Sequence, residues 1–530
     1  MAKRYEESAH PNASAALVNA ANLVSPRSNP FERLFDRVID PARSDPALAL
    51  LLCGYAAVWW LYAVISKGSQ DIHVDMGEIV AWSHKVTLGT PKHPPLAAWL
   101  VRGWFSVMPA ETWAYYLFAV ILATIALWIA WRISARYLSP EKRVVAIVML
   151  TFVPFFNFHA IKFNANSVLI PFWAATTWFF LRSFETRRAG WAALAGAGAG
   201  AAMLGKYWSI FLLAGLAVAA LTDSRRRSYL RSPAPWLTIG VGTLLLAPHA
   251  AWVFAHDYEP FGYALKAHPA TLAVSIGSVF TYLAGIPGYV AVPIIFVLLA
   301  SRPDAAAIRD SLWPAEPGRR LIVVAFAAPL LLAAPVAVLL QVKIGALWTM
   351  PAMTLLPIVL LSSPLVTVSR QAAVRLLALA IAFPLLMVAV SPIVATVAHR
   401  TGVRAYAGHY RLIAGAVESA WHAQTSQPLR IVGSTYTVVN GIVFYIADQP
   451  SVFDITSSAE TTGIDEGRIK REGIAIVCPE RETSCMTAMK EYEVRYPAAK
   501  GAGVSLARHH FGVLDRPVKY MILIVPPESP

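Results

Sequence analysis

Residues 71–100 form a polar stretch between two apolar segments. This stretch contains two carboxylates and an aromatic residue at a spacing that would place all three on one face of a helix. Asp75 and Glu78 are three residues apart, and Trp82 follows four residues after Glu78. If residues 76–85 are helical, these three side chains share one face. Carboxylates placed in this way can take up or deliver protons, although a solvated helix face would carry the same residues.

Basic and titratable residues follow the carboxylates closely. A tight turn at Gly89-Thr90-Pro91 precedes Lys92 and His93. Pro94 and Pro95 stop any earlier helix, and a proline can occupy the first position of the next helix. Because neighbouring charged groups perturb one another's protonation, this combination favours a functional site over a solvated helix face.

The composition places this polar stretch at a membrane. Of 530 residues, 57% are hydrophobic and 14% are charged, and the mean hydropathy is +0.52. Soluble domains are about 25% charged, so the chain is predicted to be a polytopic membrane protein. Its net charge of +14 does not indicate nucleic-acid binding, because the basic residues lie in short loops between apolar runs, where membrane topology explains them.

Eleven apolar runs are predicted to form membrane spans, for which about 20 residues are needed. They fall at residues 46–65, 112–131, 144–160, 166–181, 189–204, 207–222, 236–255, 272–300, 321–341, 347–362 and 376–397. The run at 272–300 is long for one crossing and contains Gly285-Ile-Pro-Gly288, so we expect an interfacial helix followed by a span. Residues 1–44 are polar, which predicts a partly disordered cytoplasmic tail.

The charge of the loops predicts the orientation of the chain. Loops on one side carry 20 lysines and arginines, whereas loops on the other side carry 8. The positive-inside rule places the more basic side and the N-terminus in the cytoplasm. With an odd number of spans, the first outer loop (residues 67–111) and the tail beyond residue 400 lie outside.

The tail from residue 400 to 530 differs in composition from the rest of the chain. It alternates helical patterns with short β-rich runs, namely helices near 404–424 and 482–493 and runs that begin at Leu429, Gly473 and Tyr520. These patterns predict a small α/β domain of about 130 residues. No glycine-rich phosphate loop accompanies the strands, so nucleotide binding has no support and a docking or lid role is the simpler interpretation. Cys478 and Cys485 lie in this tail, and their spacing leaves a disulfide open.

Further polar residues occur at the ends of apolar runs on the predicted outer side. The strongest candidates are Lys162, Asn164, Lys206 and Tyr207. Lys206 lies between two apolar runs, where a lysine is costly unless it meets an anion or reaches the headgroups. Lys162 lies in a longer and wetter loop, where a solvated lysine is the more ordinary interpretation. No cluster has convincing metal-ligand spacing, and His256-Asp257 alone is a weak signal, so a divalent metal is allowed but not indicated.

The motif of the first outer loop resembles that of a known enzyme family. Asp75-x-x-Glu78-(x)3-Trp82, followed by Lys92-His93-Pro94-Pro95, resembles the first outer loop of the bacterial GT-C glycosyltransferases. The group in question is the protein-mannosyltransferase-like and aminoarabinose-transferase-like one (glycosyltransferase family 39/83 type). One residue departs from the family pattern: many members have adjacent Asp and Glu here, whereas Met76 follows Asp75.

Two further motifs carry the same resemblance. Asn164-x-Asn166 before a Trp-rich span looks like that family, as does Gly205-Lys206-Tyr207. The resemblance implies a polytopic α-helical GT-C fold of about 11 transmembrane helices, with a small C-terminal extracytoplasmic α/β domain. Together with the composition and loop charge, it predicts a cytoplasmic tail at 1–44, a transmembrane catalytic domain at 45–399 and a periplasmic domain at 400–530, in a bacterial inner membrane.

The resemblance also implies a reaction, the inverting transfer of a sugar from a polyprenyl-phosphate carrier to an acceptor on the outer face of the membrane. Asp75, supported by Glu78, would take the proton of the acceptor hydroxyl. The phosphate leaving group needs nearby cations and hydrogen-bond donors. The candidates for binding phosphate and sugar are Lys92, His93, Lys162, Asn164, Lys206 and Tyr207.

The implied partners are a polyprenyl-phosphate-linked sugar, membrane lipids and an acceptor, which is a lipid A-type glycolipid, another lipid, a polysaccharide or a protein. No nucleic acid and no definite cofactor are implied. Two other functions stay open. A lipid or glycan transporter would also carry intramembrane charge, but its usual internal repeat is not evident. A sensor or assembly protein would need fewer spans than this chain has.

Overall fold

The computed structural model describes residues 29–267, 269–403, 406–457 and 463–528. Most of the predicted N-terminal tail lies outside the described residues. Its last part forms helix α1 (Pro30–Ile39), which is capped by Asn29, whose side chain accepts a hydrogen bond from the backbone N–H of Phe31 at 3.0 Å. Phe35 and Val38 of α1 are buried against the bundle, so the predicted disorder does not extend to this helix.

The membrane part is built from α-helices connected by short loops and turns. In chain order they are α2 (Ser44–Ser66), α3 (Val74–Ser83), α4 (Leu96–Phe105), α5 (Thr112–Ser134), α6 (Pro140–Thr151), α7 (Leu169–Thr186), α8 (Ala189–Gly205), α9 (Ile210–Thr222), α10 (Arg226–Leu230), α11 (Ala234–Ala255), α12 (Glu259–Ala267), α13 (Leu272–Ser301), α14 (Ala305–Leu312), α15 (Pro317–Leu339), α16 (Leu356–Leu361) and α17 (Arg370–Thr401). Tight 3-10 helices occur at Pro154–Phe156, Tyr207–Ser209 and Ala346–Leu355.

Within the described residues, 6 helices are long and apolar enough to cross a membrane, namely α2, α5, α11, α13, α15 and α17. Shorter apolar helices occupy three more of the predicted runs, at Ala189–Gly205, Tyr207–Thr222 and Ala346–Leu361. The run at 144–160 is not one continuous helix: α6 ends at Thr151, because Pro154 disfavours helical backbone in the residue before it. The structure confirms a polytopic helical protein, while the count of eleven spans stays a prediction.

The run at 272–300 differs from its prediction. It forms one helix, α13, in which Pro287 and Pro293 are internal positions. A break would expose backbone polar groups to lipid, so a continuous helix is favoured in spite of the prolines. Gly285 permits close packing instead of a break, since a Cβ there would lie 2.5 Å from the Cβ of Ala346. The predicted interfacial helix with a separate span is therefore wrong.

Small residues let neighbouring helices of the bundle approach closely. Helix α8 is rich in alanine and glycine and packs against α7 and α11. A Cβ at Gly196 would lie 2.4 Å from the carbonyl oxygen of Thr238, and one at Gly198 would lie 2.8 Å from Oγ1 of Thr176. Because lipid supplies little hydrophobic drive between helices, close van der Waals packing of this kind stabilises the bundle.

The C-terminal domain contains a mixed five-stranded sheet of order β2-β1-β3-β7-β4. The strands are β1 (Ile431–Ser434), β2 (Ser451–Asp454), β3 (Ile474–Pro479), β4 (Lys500–Leu506), β5 (His509–His510), β6 (Val513–Leu514) and β7 (Val518–Val525), and β5 and β6 form a separate pair. The helices are α18 (Tyr410–His422), α19 (Tyr436–Ile442), α20 (Glu466–Glu472) and α21 (Thr483–Arg495). Strand β1 is parallel to β2 and β3, whereas β7 is antiparallel to β3 and β4. The three predicted β-rich runs are β1, β3 and β7, which confirms the α/β prediction.

A disulfide joins the sheet of this domain to its last helix. Cys478 in β3 and Cys485 in α21 are bonded, with their Cα atoms 5.6 Å apart, and both side chains are buried. The sequence left this pairing open, and the structure resolves it. Cys53 in α2 is a free cysteine.

Helices α3 and α19 join the two parts of the chain by direct contact of their backbones. A Cβ at Gly77 of α3 would lie 1.9 Å from the carbonyl oxygen of Asn440 in α19. The next residue of α19, Gly441, is crowded on its other side, where a Cβ would lie 2.3 Å from the ring of Tyr410. Glycine is therefore required at both positions for α19 to fit between α3 and α18.

A buried aspartate adds a polar link between the two parts. The carboxylate of Asp71 is almost fully buried and accepts hydrogen bonds from the guanidinium of Arg508 and, at 3.0 Å, from the backbone N–H of Arg411. The backbone N–H of Asp71 donates to the carbonyl of Ala407 at 2.7 Å. Several hydrogen bonds of Asp71 thus attach the start of the first outer loop to the C-terminal domain.

We predict that Gly77→Ala separates α3 from α19 and lowers the melting temperature of the purified protein in detergent. The added Cβ has no room beside the Asn440 carbonyl, and overpacking of this kind costs about 1–3 kcal/mol. Helix propensity alone would act in the opposite direction, by up to about 1 kcal/mol. Gly103→Ala in α4 is the matched control, because its Cβ would meet nothing within 4 Å. An unchanged melting temperature for Gly77→Ala would contradict the importance of the contact.

Candidate active site

Helix α3 places the two predicted carboxylates one turn apart. The helix begins after His73, whose Nδ1 accepts a hydrogen bond from the backbone N–H of Asp75 at 3.1 Å. Asp75 lies in the first turn, where the helix dipole favours a negative charge, and Glu78 follows in the next turn. The helix covers Val74–Ser83, so it begins and ends two residues before the predicted 76–85.

Asp75 is held by a lysine and an asparagine, and a histidine lies beside it. Its Oδ2 lies 2.9 Å from Nζ of Lys162 and accepts a hydrogen bond from Nδ2 of Asn164 at 3.3 Å. Its Oδ1 lies 3.4 Å from Nδ1 of His73. Burial would raise the pKa of Asp75, but the contact with His73 and the charge of Lys162 outweigh burial and hold the pKa well below its usual range. Asp75 is therefore ionised at neutral pH.

Asn164 shapes the irregular segment that carries Lys162. Its Oδ1 accepts hydrogen bonds from the backbone N–H groups of Asn166 at 2.9 Å and Ser167 at 3.2 Å. The hydroxyl of Ser167 lies 3.2 Å from the carbonyl of Lys162. Asparagine side chains commonly stabilise turns in this way. Asn164 consequently has two roles: it stabilises the turn that presents Lys162, and it donates a hydrogen bond to Asp75.

Lys206 lies where the chain is extended between α8 and the 3-10 helix that follows. Its Nζ donates to Oδ1 of Asn166 at 2.7 Å and lies 4.8 Å from the centre of the Trp348 ring. Burial, together with the nearby charge of Lys92, lowers the pKa of Lys206 to about 8, although Asp75 opposes the shift. Its hydrogen bond to a neutral amide leaves the charge of Lys206 without a directly bonded anion among the described residues.

Glu78 and Lys92 form an ion pair closed by a tyrosine of the C-terminal domain. Nζ of Lys92 lies 2.9 Å from Oε1 of Glu78 and donates to the hydroxyl of Tyr436 at 2.7 Å, while that hydroxyl donates to Oε1 of Glu78 at 2.5 Å. Glu78 is 6% exposed. Burial would lower the pKa of Lys92, but the charge of Glu78 outweighs burial and raises it, so Lys92 is charged. Burial raises the pKa of Glu78, and the charge of Lys92 at 2.9 Å opposes that shift by favouring the ionised carboxylate.

His93 is kept neutral beside these charges. Burial, together with the charges of Lys206 and Lys92, lowers the pKa of His93 to about 3. Its carbonyl accepts hydrogen bonds from the backbone N–H of Thr90 at 3.2 Å and from Oγ1 of Thr90 at 2.8 Å, which closes the predicted turn. Its ring lies edge-on to Trp82 at 5.9 Å. His93 therefore contributes a neutral imidazole and not a cation.

Tyr207, one of the predicted site residues, does not contact Asp75 or the lysines and is hydrogen bonded to a histidine instead. Its hydroxyl lies 3.0 Å from Nε2 of His249, whose Nδ1 lies 2.6 Å from the carbonyl of Leu88. Because that carbonyl can only accept, Nδ1 of His249 carries the proton and the tyrosine hydroxyl donates to Nε2. The ring of Tyr207 stacks on Phe261 at 4.7 Å. The structure thus brings Asp75, Lys162 and Asn164 into contact, and Lys206 lies beside them. Tyr207 contacts His249 and Phe261 instead.

Three residues of this site are not among the predicted ones. His73 and Asn166 lie close in sequence to predicted residues, and Asn166 already formed part of the Asn164-x-Asn166 motif. Tyr436 lies 344 residues after Lys92, and no local sequence signal connects the two. Contacts across such a separation follow from docking of the domains and not from motif spacing.

A small cavity adjoins Glu78 and Lys92 between the first outer loop and the C-terminal domain. Its walls include the rings of Trp82 and Tyr263 and the polar side chains of Asn440 and Asp454. Aromatic walls with a few polar groups are typical of small-molecule sites. In the part of the chain that the structure describes, no group of three or more His, Cys, Asp and Glu side chains is arranged to hold a metal ion.

Comparisons with known sequences point to sugar transferases. The family described as dolichyl-phosphate-mannose-protein mannosyltransferase matches residues 92–252. Lipid A galacturonosyltransferase RgtD of Rhizobium johnstonii is 23% identical over 253 residues, which cover 47% of this chain and 52% of that protein. Lipopolysaccharide core galacturonosyltransferase RgtB of the same organism is 25% identical over 210 residues, 37% of this chain and 42% of that protein. The chain thus matches about half the length of these curated relatives.

A comparison with solved structures establishes the fold. The crystal structure of ArnT from Cupriavidus metallidurans bound to undecaprenyl phosphate aligns with a TM-score of 0.57 at 14% identity, over 89% of this chain and 97% of that one. The apo form aligns with the same TM-score over 90% of this chain and 98% of that one. The chain is a multi-pass membrane protein with the GT-C fold of membrane glycosyltransferases. This confirms the fold that the sequence resemblance implied.

Proposed function

We propose that this protein is an inverting membrane glycosyltransferase that moves a sugar from a polyprenyl-phosphate carrier to a glycolipid acceptor. The observation that carries the proposal is a carboxylate, Asp75, paired with Lys162 beside a second lysine, Lys206. The names of the two relatives favour a uronic acid as the sugar and a lipopolysaccharide component as the acceptor. They also favour a transferase over the transporter and sensor alternatives.

The proposed reaction is a direct displacement. The acceptor oxygen attacks the anomeric carbon while the bond from that carbon to the phosphate oxygen breaks and the phosphate leaves with the electron pair. Asp75 takes the proton of the acceptor hydroxyl as the new bond forms. Lys162 and Lys206 stabilise the negative charge of the departing phosphate, and His93, being neutral, can only donate or accept a hydrogen bond.

The ion pair between Lys162 and Asp75 suggests how the base becomes active. A carboxylate whose pKa is held low is a weak base, and Asp75 is in that state while Lys162 lies 2.9 Å away. A donor phosphate would attract Lys162 and weaken its hold on Asp75. The pKa of Asp75 would then rise, so that donor binding itself prepares the base for the acceptor.

Glu78 has a different task in this proposal. Both Lys92 and Tyr436 donate to its Oε1, and Lys92 also lies 3.2 Å from its Oε2, so the carboxylate is already bound to a lysine and to a tyrosine of the C-terminal domain. We assign Glu78 as a positioning residue that holds α3 against the C-terminal domain. Lys92 is occupied in the same way, and it lines the small aromatic cavity beside Glu78.

We also propose that the C-terminal domain lies in the periplasm. The buried Cys478–Cys485 disulfide supports this, because disulfides persist in oxidising compartments and are rare in the cytosol. The excess of basic residues in the opposite loops supports the same orientation.

In a Cys53→Ser background, cysteine placed at the exposed Ser426 should react with a membrane-impermeant maleimide on intact spheroplasts. Cysteine placed at Ala306, which is exposed in α14 on the side predicted to be cytoplasmic, should react only after lysis. The two positions are matched, since each is an exposed residue outside the predicted spans. The reverse labelling pattern would refute the orientation and with it the outward-facing site.

Asp75→Asn should lower turnover by about 10²–10⁴-fold, the usual effect of losing a general base, while donor affinity changes only a few-fold. The assay incubates purified enzyme with a panel of polyprenyl-phosphate sugars and lipopolysaccharide acceptors and follows consumption of the donor. Glu78→Gln is the comparison. It should lower the melting temperature, because one charge of a buried pair is removed, and reduce turnover less than Asp75→Asn. Near-normal turnover of Asp75→Asn would exclude it as the base.

Loss of the positive charge of Lys206 should reduce the activity of the enzyme at alkaline pH. Its pKa is lowered to about 8, so the lysine loses its charge as pH rises through that value, and kcat/KM for the donor should fall above about pH 8. Lys206→Arg keeps a charge at all these pH values and should remove the alkaline limb at a reduced plateau. Lys206→Ala should be weak at every pH. A wild-type limb that persists unchanged in Lys206→Arg would show that another group titrates.

A further inference from the structure

A second cleft, lined by charged and apolar groups, lies outside this site, where α2 and α5 meet the C-terminal domain. It has a volume of about 590 Å³. Its wall includes the side chains of Lys67, Asp71, Glu111, Trp113, Arg411 and Arg508. Its position at the ends of two membrane helices raises the question of which ligand it fits.

Most charges in the cleft neutralise one another. Arg508 pairs with Asp71, and NH2 of Arg411 lies 3.0 Å from Oε2 of Glu111. The ammonium group of Lys67 has no hydrogen bond or ion pair with any of the residues that the structure describes. Burial lowers the pKa of Lys67, as expected for a cation withdrawn from water without a counter-ion. One unmatched positive charge therefore faces the cleft.

The cleft lies at the edge of the membrane part. Lys67 follows directly after α2, and Trp113 lies at the start of α5, two of the helices long enough to cross a membrane. The indole of Trp60 in α2 donates to the carbonyl of Trp113 at 2.9 Å, which joins the two helix ends below the cleft. Leu61 and Trp113 are 43% and 37% exposed, so an apolar surface continues from the cleft toward the lipid. A ligand there would have a polar, anionic head and an apolar tail.

We propose that this cleft binds the phosphate-bearing headgroup of a membrane lipid, with Lys67 as the residue that contacts the phosphate. A lysine at a helix end often reaches the headgroup layer by itself. Here the cleft and the paired charges around the lysine make a shaped site for one headgroup. A net-anionic headgroup is preferred to a zwitterionic one because the carboxylates and arginines of the cleft pair with one another and leave the charge of Lys67 unmatched.

The cleft lies beside the helix that carries Asp75, which makes the glycolipid acceptor the favoured lipid. Tyr116 lines the cleft, and its neighbour Tyr115 donates from its hydroxyl to the carbonyl of Met76 in α3 at 3.1 Å. Asp71, which also lines the cleft, lies four residues before Asp75 in the chain, so the cleft and α3 adjoin in the first outer loop. This assignment of the lipid rests on the proposed function, whereas binding of a phosphate headgroup does not.

The test measures lipid retention by the purified full-length protein in native mass spectrometry, with lipid A, phosphatidylglycerol and phosphatidylcholine as probes. Lys67→Gln should weaken retention of a phosphate-bearing anionic lipid by about tenfold, the usual scale of one charge-assisted contact. Lys67→Arg should retain most of the binding. Lys85→Gln is the matched control, since Lys85 is an exposed lysine of the same outer loop outside the cleft.

Each outcome decides a separate part of the inference. A loss confined to lipid A supports an acceptor site, and the acceptor KM should then rise while the donor KM stays unchanged. A loss for both lipid A and phosphatidylglycerol supports a headgroup site for anionic lipids in general. Equal retention of all three lipids by wild type and Lys67→Gln, with equal melting temperatures, would overturn the proposal. The retention measurement needs no turnover, so it stands even if the proposed transferase activity fails.

Discussion

The contact of α3 with α19 is the constraint on which the arrangement of the site depends. Within four residues α3 carries Asp75, Gly77 and Glu78, and these meet Lys162, the backbone of Asn440 and Tyr436 respectively. Buried charges are costly unless they are paired and hydrogen bonded, so Glu78 is stable only when Lys92 and the tyrosine are in place. Glu78 therefore becomes correctly placed only when the C-terminal domain has docked, which gives that domain a structural part in the site.

The distribution of charge explains how a site at a membrane edge can accept a phosphate. Counting Asp75, Glu78, Lys92, Lys162 and a protonated Lys206, the cluster has one excess positive charge, and His93 adds none because it is neutral. The two ionised pairs lower the cost of burying most of these groups. The remaining charge lies on Lys206, held by a neutral amide and an aromatic ring, which leaves it able to bind a phosphate without first breaking an ion pair.

Local patterns predicted the parts of this structure that depend on neighbours in sequence. The helix through Asp75 and Glu78, the turn before His93 and three strands of the sheet follow from residue spacing and turn chemistry. The role of Tyr436 could not be found in this way, because it depends on a contact 344 residues distant. The error at 272–300 has a different origin: Gly-Ile-Pro-Gly breaks helices in water, whereas in a membrane bundle the glycine allows close packing and the backbone keeps its hydrogen bonds.

The departure of Met76 from the family pattern has a geometric explanation in α3. On a helix the residue after Asp75 is rotated by about 100° and the third residue after it returns to within about 60° of the same face. Met76 accordingly lies in the core, where it is 1% exposed, and its carbonyl accepts a hydrogen bond from the hydroxyl of Tyr115. Glu78, in contrast, faces the site. A carboxylate three positions after Asp75 is therefore better placed on this helix than an adjacent one. Because that carboxylate is bound to Lys92 and Tyr436, the two acidic residues act in different ways: Asp75 faces the lysines that suit a phosphate, and Glu78 fixes the helix that presents Asp75.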